Sequence, residues 1–223
     1  VVRTSTQRSR WRLPPKGGFR GGWSCRMWPP NWWERLWPQG HFFFIFSPWL
    51  ATKEAEKGVV RGQPGSEVTA MCYGEYFPSP GPLATASGPY SPEAAQRLNA
   101  LVSESAAFLA EMLGTMILGV VVFAVTDPRN PEGPGRLAPV LIGLMVVALI
   151  SVIAPLTQAC FNPARDFGSR LFAFLTGWGQ VALPGPTPTG FFSVYIAARL
   201  MGAILGAHLY DRVLHPAKPD ASS

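Results

Sequence analysis

The chain has 223 residues, room for one ordinary domain or several membrane crossings, and only 14% of them are charged where a soluble domain carries about a quarter. The net charge of +6 invites a nucleic-acid partner, but the excess sits in residues 1–50, where eight Lys or Arg face the single acid Glu34; the rest of the chain has eleven basic and twelve acidic residues. Three cysteines, Cys25, Cys72 and Cys160, lie too far apart for a zinc site or a disulfide framework, and neither a metal nor a cofactor is expected.

Residues 1–50 hold seven of the eight tryptophans among Arg, Pro and Gly, with neither helical nor strand period. The chain opens on Val-Val, and no apolar run in the first 40 residues suits a signal peptide. The stretch His41 to Ala51 is about half of what a bilayer crossing needs. This segment reads as lacking a recognisable fold, as disorder or as the product of a wrong frame or mis-set start, and is expected to stay out of any helix bundle. Its rival reading is a basic, aromatic arm that lies on anionic lipid or binds nucleic acid. Residues 51–105 are rich in Gly, Pro and Ser and read as a long extramembrane connecting loop, with a short helix after Ser87-Gly-Pro-Tyr-Ser-Pro-Glu93.

From Ala106 the character changes. Ala106–Val125, Leu137–Leu156 and Phe191–Tyr210 are each twenty residues long, broken only by Glu111 in the first and by Arg199 and His208 in the third. A helix of that length reaches about 30 Å, the thickness of a hydrocarbon core. Between the second and third runs, Asn162-Pro163-Ala164-Arg165-Asp166 opens a further helix, because Asn is a preferred N-cap and Pro suits the first helical position. It is expected to span 163–176, too short to cross, and so reads as a re-entrant half-helix. Arg129, Arg136, Arg212 and Lys218 assign the first loop and the tail to the cytoplasmic side.

A helix that begins inside a membrane aims free N–H groups and a positive dipole end at that depth. If Asn162 caps it, the side-chain oxygen is used and the amide donors face outward. Arg165, one turn on, adds five donors and a permanent charge. Glu111 reads as a brace that accepts backbone N–H groups from the re-entrant segment, with a proton relay as the alternative. Asp166 and Arg170 have ion-pair spacing on the half-helix. Gly202 and Gly206 suit a close helix crossing. His41, His208 and His215 stand in no catalytic arrangement, and an enzyme is not expected.

Thr157-Gln-Ala-Cys-Phe-Asn-Pro-Ala-Arg-Asp-Phe-Gly168 resembles the second Asn-Pro-Ala box of the aquaporin and glycerol-facilitator family. The resemblance extends through Thr126-Asp127, Leu137-Ala-Pro, Ile142-Gly, Pro155-Leu-Thr157 and Thr176-Gly-Trp-Gly179. Val60-Arg-Gly62 and Tyr76-Phe-Pro-Ser-Pro-Gly81 are similar to the outer loop that joins the family's two halves, so the likeness covers residues 54–215. It implies an all-α integral membrane protein of the cell membrane, with three transmembrane helices and one re-entrant half-helix forming an aquaporin-like half-channel at 106–215, followed by a tail at 216–223. The implied partners are the lipid bilayer, water or small neutral solutes, and copies of the chain in a homo-oligomer, a tetramer in the family; nucleic acid is not one. Asn162, Pro163, Ala164 and Arg165 would line the pore. Ile150 and Ala159 fall at the family's filter positions, twelve and three residues before Asn162. Glu111, Asp166 and Arg170 would support the half-helix, Glu111 by bracing the loop before it.

The likeness has limits. The family is a tandem inverted repeat with two boxes, and this sequence carries one. Ile150 fits neither the His of water channels nor the Gly of glycerol facilitators, whereas Asp166 followed by a base four later resembles glycerol facilitators. The expected function is passive passage of water or small neutral solutes such as glycerol; its rival is a non-conducting fragment of such a channel.

Overall fold

The computed structural model describes residues 32–128, 130 and 133–214, and side chains from residue 39. The expectations for residues 1–31, Arg129, His215, Lys218 and the tail 216–223 lie outside the described residues. The described residues are helical or irregular, and no strand occurs among them.

Among the described residues, three helices are long and apolar enough to cross a membrane: Glu104–Thr126, Gly135–Thr157 and Pro188–Leu214. The first, α5 (Glu104–Thr126), starts where the Ser103 hydroxyl accepts the Ala106 N–H at 3.2 Å. The second is α6 (Ala138–Thr157), entered through the single tight turn Gly135–Leu137 with Pro in its first turn. The third is built from α8 (Pro188–Phe192), a widened π-helical turn at Ser193–Ala198, α9 (Arg199–Leu209) and a second widened turn at Tyr210–Leu214. The apolar runs read from the sequence fall within one to two residues of these helices at most ends.

Side-chain contacts fix how the three helices run. Glu104 accepts hydrogen bonds from Thr189 and Ser193, so α5 and the third helix begin side by side. Tyr210 donates to Asp127 at 3.0 Å, so they also end side by side. They are parallel, with α6 returning in the opposite sense. At Gly202 and Gly206 a methyl group would lie 2.3 Å from the Met112 carbonyl oxygen and 2.6 Å from that of Met116. The two backbones touch there because neither position has a side chain. Large apolar side chains such as Leu144, Val147 and Val152 remain exposed along α6, as a lipid-facing surface requires.

The N-terminal region departs from the sequence reading. α1 (Trp32–Lys57) is a 26-residue helix that runs across the boundary expected at residue 50. Pro38, Gly40 and Pro48 fall inside it and hide its period. Leu50 is buried with Ala70, Tyr76, Ala173, Trp178 and Ala182, and the Phe43 ring meets Trp178 and Phe172 edge-on. Gln39 donates to Ser169 at 2.9 Å. Within the described part of residues 1–50, the expectation of a segment apart from the bundle is therefore corrected at Gln39, Phe43 and Leu50, which pack against it, while Phe42, Phe44, Ile45, Phe46 and Trp49 stay exposed.

The loop reading of 51–105 also needs more structure than expected. It contains α2 (Glu67–Ala70), α3 (Gly81–Thr85) and α4 (Pro92–Asn99), the last capped by Ser91 and lying where the short helix was read. Glu54 and Arg61 form a two-pronged pair at 2.9 and 3.0 Å, and the Arg61 guanidinium lies 4.2 Å over the Trp178 ring. Lys57 donates to the carbonyls of Ala86 and Gly88. A long segment is thus held by polar contacts rather than by an apolar core of its own.

Candidate functional site

The site grows from the end of α6. Thr157 is its last residue, and the next four turn the chain sharply: Gln158, Ala159 and Phe161 have φ of 63°, 57° and 54°. Side-chain-bearing residues in this left-handed region cost roughly 1–2 kcal/mol each, so something must hold them there. Glu111 does so from inside α5. One carboxylate oxygen accepts from the Thr157 hydroxyl at 2.6 Å and the Cys160 N–H at 3.4 Å. The other accepts from the Phe161 N–H at 3.2 Å and from Arg199 Nε at 2.8 Å. The absence of a side chain at Gly114 makes room for the Phe161 ring, which would lie 2.2 Å from a methyl at that position.

With its N–H groups drawn toward Glu111, the loop turns its acceptors elsewhere. Among the described residues, no hydrogen bond reaches the carbonyl oxygens of Ala159, Cys160 or Phe161. The next residue starts α7 (Pro163–Ala173). Asn162 is extended, and its side-chain oxygen accepts from the N–H groups of Ala164 and Arg165, both at 3.1 Å. Its amide nitrogen remains as a donor on an exposed residue. α7 proper stops at Ala173 and passes into a widened π-helical turn at Phe174–Trp178, where helical geometry is lost at Thr176 and Gly177.

α7 is anchored by a nearly neutral set of buried charges. Arg170 Nε lies 3.0 Å from both oxygens of Asp166, and its Nη1 donates to the Ala182 carbonyl at 2.8 Å. Its Nη2 donates to the Glu75 carbonyl, while the Glu75 N–H donates to Asp166 at 2.8 Å. The rings of Tyr76, Phe191 and Tyr195 lie 4.7–5.2 Å from the Arg170 guanidinium. Asp166 and Arg170 therefore tie together α7, the connecting loop and the third helix, a wider role than the helical ion pair read from their spacing.

The sequence-predicted residues divide into two groups. Asn162, Pro163, Ala164 and Arg165 form the first turn of α7 and its cap, with the Arg165 side chain 61% exposed. Ala159 is 4% exposed and packs with Leu149, Ile153 and Phe161, whereas Ile150 is 41% exposed. Arg199 was noticed in the sequence only as a misfit in the third span. Its side chain is fully buried against Glu111, its Nη1 donates to the Asn162 carbonyl at 3.4 Å, and it lies 3.9 Å from Asp166. The signal for that pairing was present: a charged residue in an apolar span needs a partner, and Glu111 is the acid in a neighbouring span. Among the described residues, Arg199 Nη2 is buried without a hydrogen-bond acceptor.

These contacts also set where α7 opens along the long helices. Glu111 is seven residues into α5, roughly 10 Å from its start at 1.5 Å per residue, and Arg199 is eleven residues beyond Pro188, roughly 16 Å along the third helix. Arg199 holds the Asn162 carbonyl and Glu111 holds the turn just before it, so α7 opens beside the first halves of two long helices rather than at their ends.

Three helices of membrane-crossing length define a multi-pass helical membrane protein. The model of the major intrinsic protein family matches residues 81–210, and the chain belongs to that family. It is 41% identical over 113 residues to the glycerol uptake facilitator protein of Haemophilus influenzae, covering 51% of this chain and 43% of that protein. The glycerol uptake facilitator protein of Pseudomonas aeruginosa is 42% identical over 122 residues, covering 55% and 44%. The propanediol uptake facilitator of Citrobacter freundii is 44% identical over 104 residues, covering 47% and 39%. The chain spans less than half the length of these curated relatives.

Proposed function

We propose that the chain builds one half of the wall of a membrane channel for passive passage of water or small neutral solutes such as glycerol. In this reading residues 106–214 are the half-channel, and α7 is a re-entrant half-helix whose N-terminus lies near the bilayer midplane. The observation that carries it is Asn162. Its oxygen is committed to two backbone N–H groups, so the amide presents donors at the positive end of a helix. The unpaired carbonyls of Ala159, Cys160 and Phe161 supply acceptors beside it. A passing hydroxyl can then exchange its water partners for fixed donors and acceptors, while the helix dipole and Arg165 oppose cations. Ile150 and Ala159 would stand at the narrowest point, Ile150 through its side chain and Ala159 through its backbone. Glu111, Asp166 and Arg170 would hold the frame, and the chain would act without chemical catalysis.

Glycerol is favoured over water alone because the relatives are glycerol and propanediol uptake facilitators by name, and because a polyol can use donors and acceptors together. Stopped-flow light scattering tests the reading in vesicles holding this chain with the first half of a glycerol facilitator. Glycerol flux should exceed that of either component alone, and Arg165→Ala should loosen discrimination against larger polyols. Flux that ignores both Asn162→Asp and Arg165→Ala contradicts the assignment.

A further inference from the structure

Glu75 takes no part in the proposed conduit, yet it is held more firmly than a loop residue needs to be. It stands between α2 and α3, outside the three long helices. Its N–H donates to Asp166, its carbonyl accepts from Arg170, and the next N–H, of Tyr76, donates to the Gln158 side chain at 2.9 Å. Three main-chain ties to α7 and the turn before it therefore aim the side chain. Its carboxylate meets Arg165 Nη1 at 2.5 Å. The same nitrogen lies 3.3 Å from Cys160 Sγ. The carboxylate is nearly buried while most of the guanidinium is open. Among the described residues, no other carboxylate pairs with Arg165.

We propose that Glu75 positions Arg165 and sets its net charge, so that this loop carboxylate determines selectivity together with the arginine. The inference rests on the reading of Arg165 as pore-lining. When Glu75 is ionised, the pair is neutral and the guanidinium is held to the wall. When Glu75 is protonated, Arg165 carries an uncompensated charge and is freed from its anchor.

The surroundings place that change near neutrality. Burial pushes the Glu75 carboxyl up to about 7; Asp166 acts in the same direction, while Arg165 and Arg199 oppose it. The other groups facing it are Arg170, on its carbonyl, and the neighbouring Tyr76 and Cys160. Above about pH 7 the clamp is closed, and below it the clamp opens.

The test uses the full chain in lipid nanodiscs, with carbon-13 at glutamate carboxyls and nitrogen-15 at arginine side chains. Glu75→Gln, close to isosteric, assigns the Glu75 signal. The Glu75 resonance should titrate near pH 7, and the Arg165 Nε resonance should move over the same range. Arg165→Ala should raise the Glu75 midpoint, Arg165→Lys should restore part of the shift, and Glu75→Gln should leave Arg165 indifferent to pH. An Arg165 signal that Glu75→Gln does not change, or a Glu75 midpoint that Arg165→Ala does not move, overturns the clamp. This readout needs no conduction, so it stands even where vesicles fail to conduct. In vesicles that do conduct, polyol discrimination should differ between pH 6 and pH 8 for the native chain and not for Glu75→Gln. Discrimination independent of both changes overturns the selectivity role.

Discussion

Replacing Arg199 with Met tests the buried pair that holds the turn before α7. The substitution keeps much of the side chain's length and removes its charge. Glu111 then loses its 2.8 Å contact to a cation, and the Asn162 carbonyl loses its 3.4 Å donor. The Thr157 hydroxyl and the N–H groups of Cys160 and Phe161 remain on the carboxylate. Removing one partner of a buried pair costs about 3–5 kcal/mol, and three surviving donors put the expected loss near the lower end, about 3 kcal/mol. Adding Glu111→Gln removes the stranded charge, so the double variant should lose less than the sum of the single losses by about 1–3 kcal/mol, the coupling typical of contacting groups. Unfolding in mixed micelles titrated with dodecyl sulfate, followed by far-ultraviolet circular dichroism, measures all four corners of the cycle. A loss under about 0.5 kcal/mol for Arg199→Met, the range of an ordinary surface change, would refute the bracing role, as would strict additivity.

Gly202→Leu or Gly206→Leu should cost about 1–3 kcal/mol in the same assay by forcing α9 away from α5, whereas Ala203→Leu on the exposed face should stay within about 0.5 kcal/mol. Asn162→Ala should cost about 1 kcal/mol by leaving two N–H groups of α7 uncapped, and Asn162→Asp should recover most of that loss.

The membrane helices were legible because run length and absence of charge are set directly by bilayer thickness. The start of α7 was legible for a similar reason, since Asn162-Pro163 satisfies the needs of a helix N-terminus locally. α1 was not, because its apolar residues are interrupted by Pro38, Gly40 and Pro48 and its partners, Trp178 and Phe172, lie more than 120 residues away. The pairing of Arg199 with Glu111 was hidden by a separation of 88 residues, although each residue alone was conspicuous in its span. Glu75 gave no signal at all: an acid in a polar loop is ordinary, and only the folded loop brings it against Arg165. Residues whose role depends on their own segment could be read; of those defined by another element, only Glu111, a lone acid in an apolar run, could.

The depth of the α7 N-terminus tests the half-channel reading most directly. A nitroxide at residue 164, in a chain with Cys25, Cys72 and Cys160 replaced, reports its depth through relaxation by oxygen and by a water-soluble nickel chelate. The hydrocarbon core is about 30 Å thick. A half-helix opening at the midplane puts the label roughly 15 Å from either face and within reach of the chelate, because a polar path leads to it. A label at either interface, or one at the centre that oxygen reaches and the chelate does not, would contradict a re-entrant helix lining a pore.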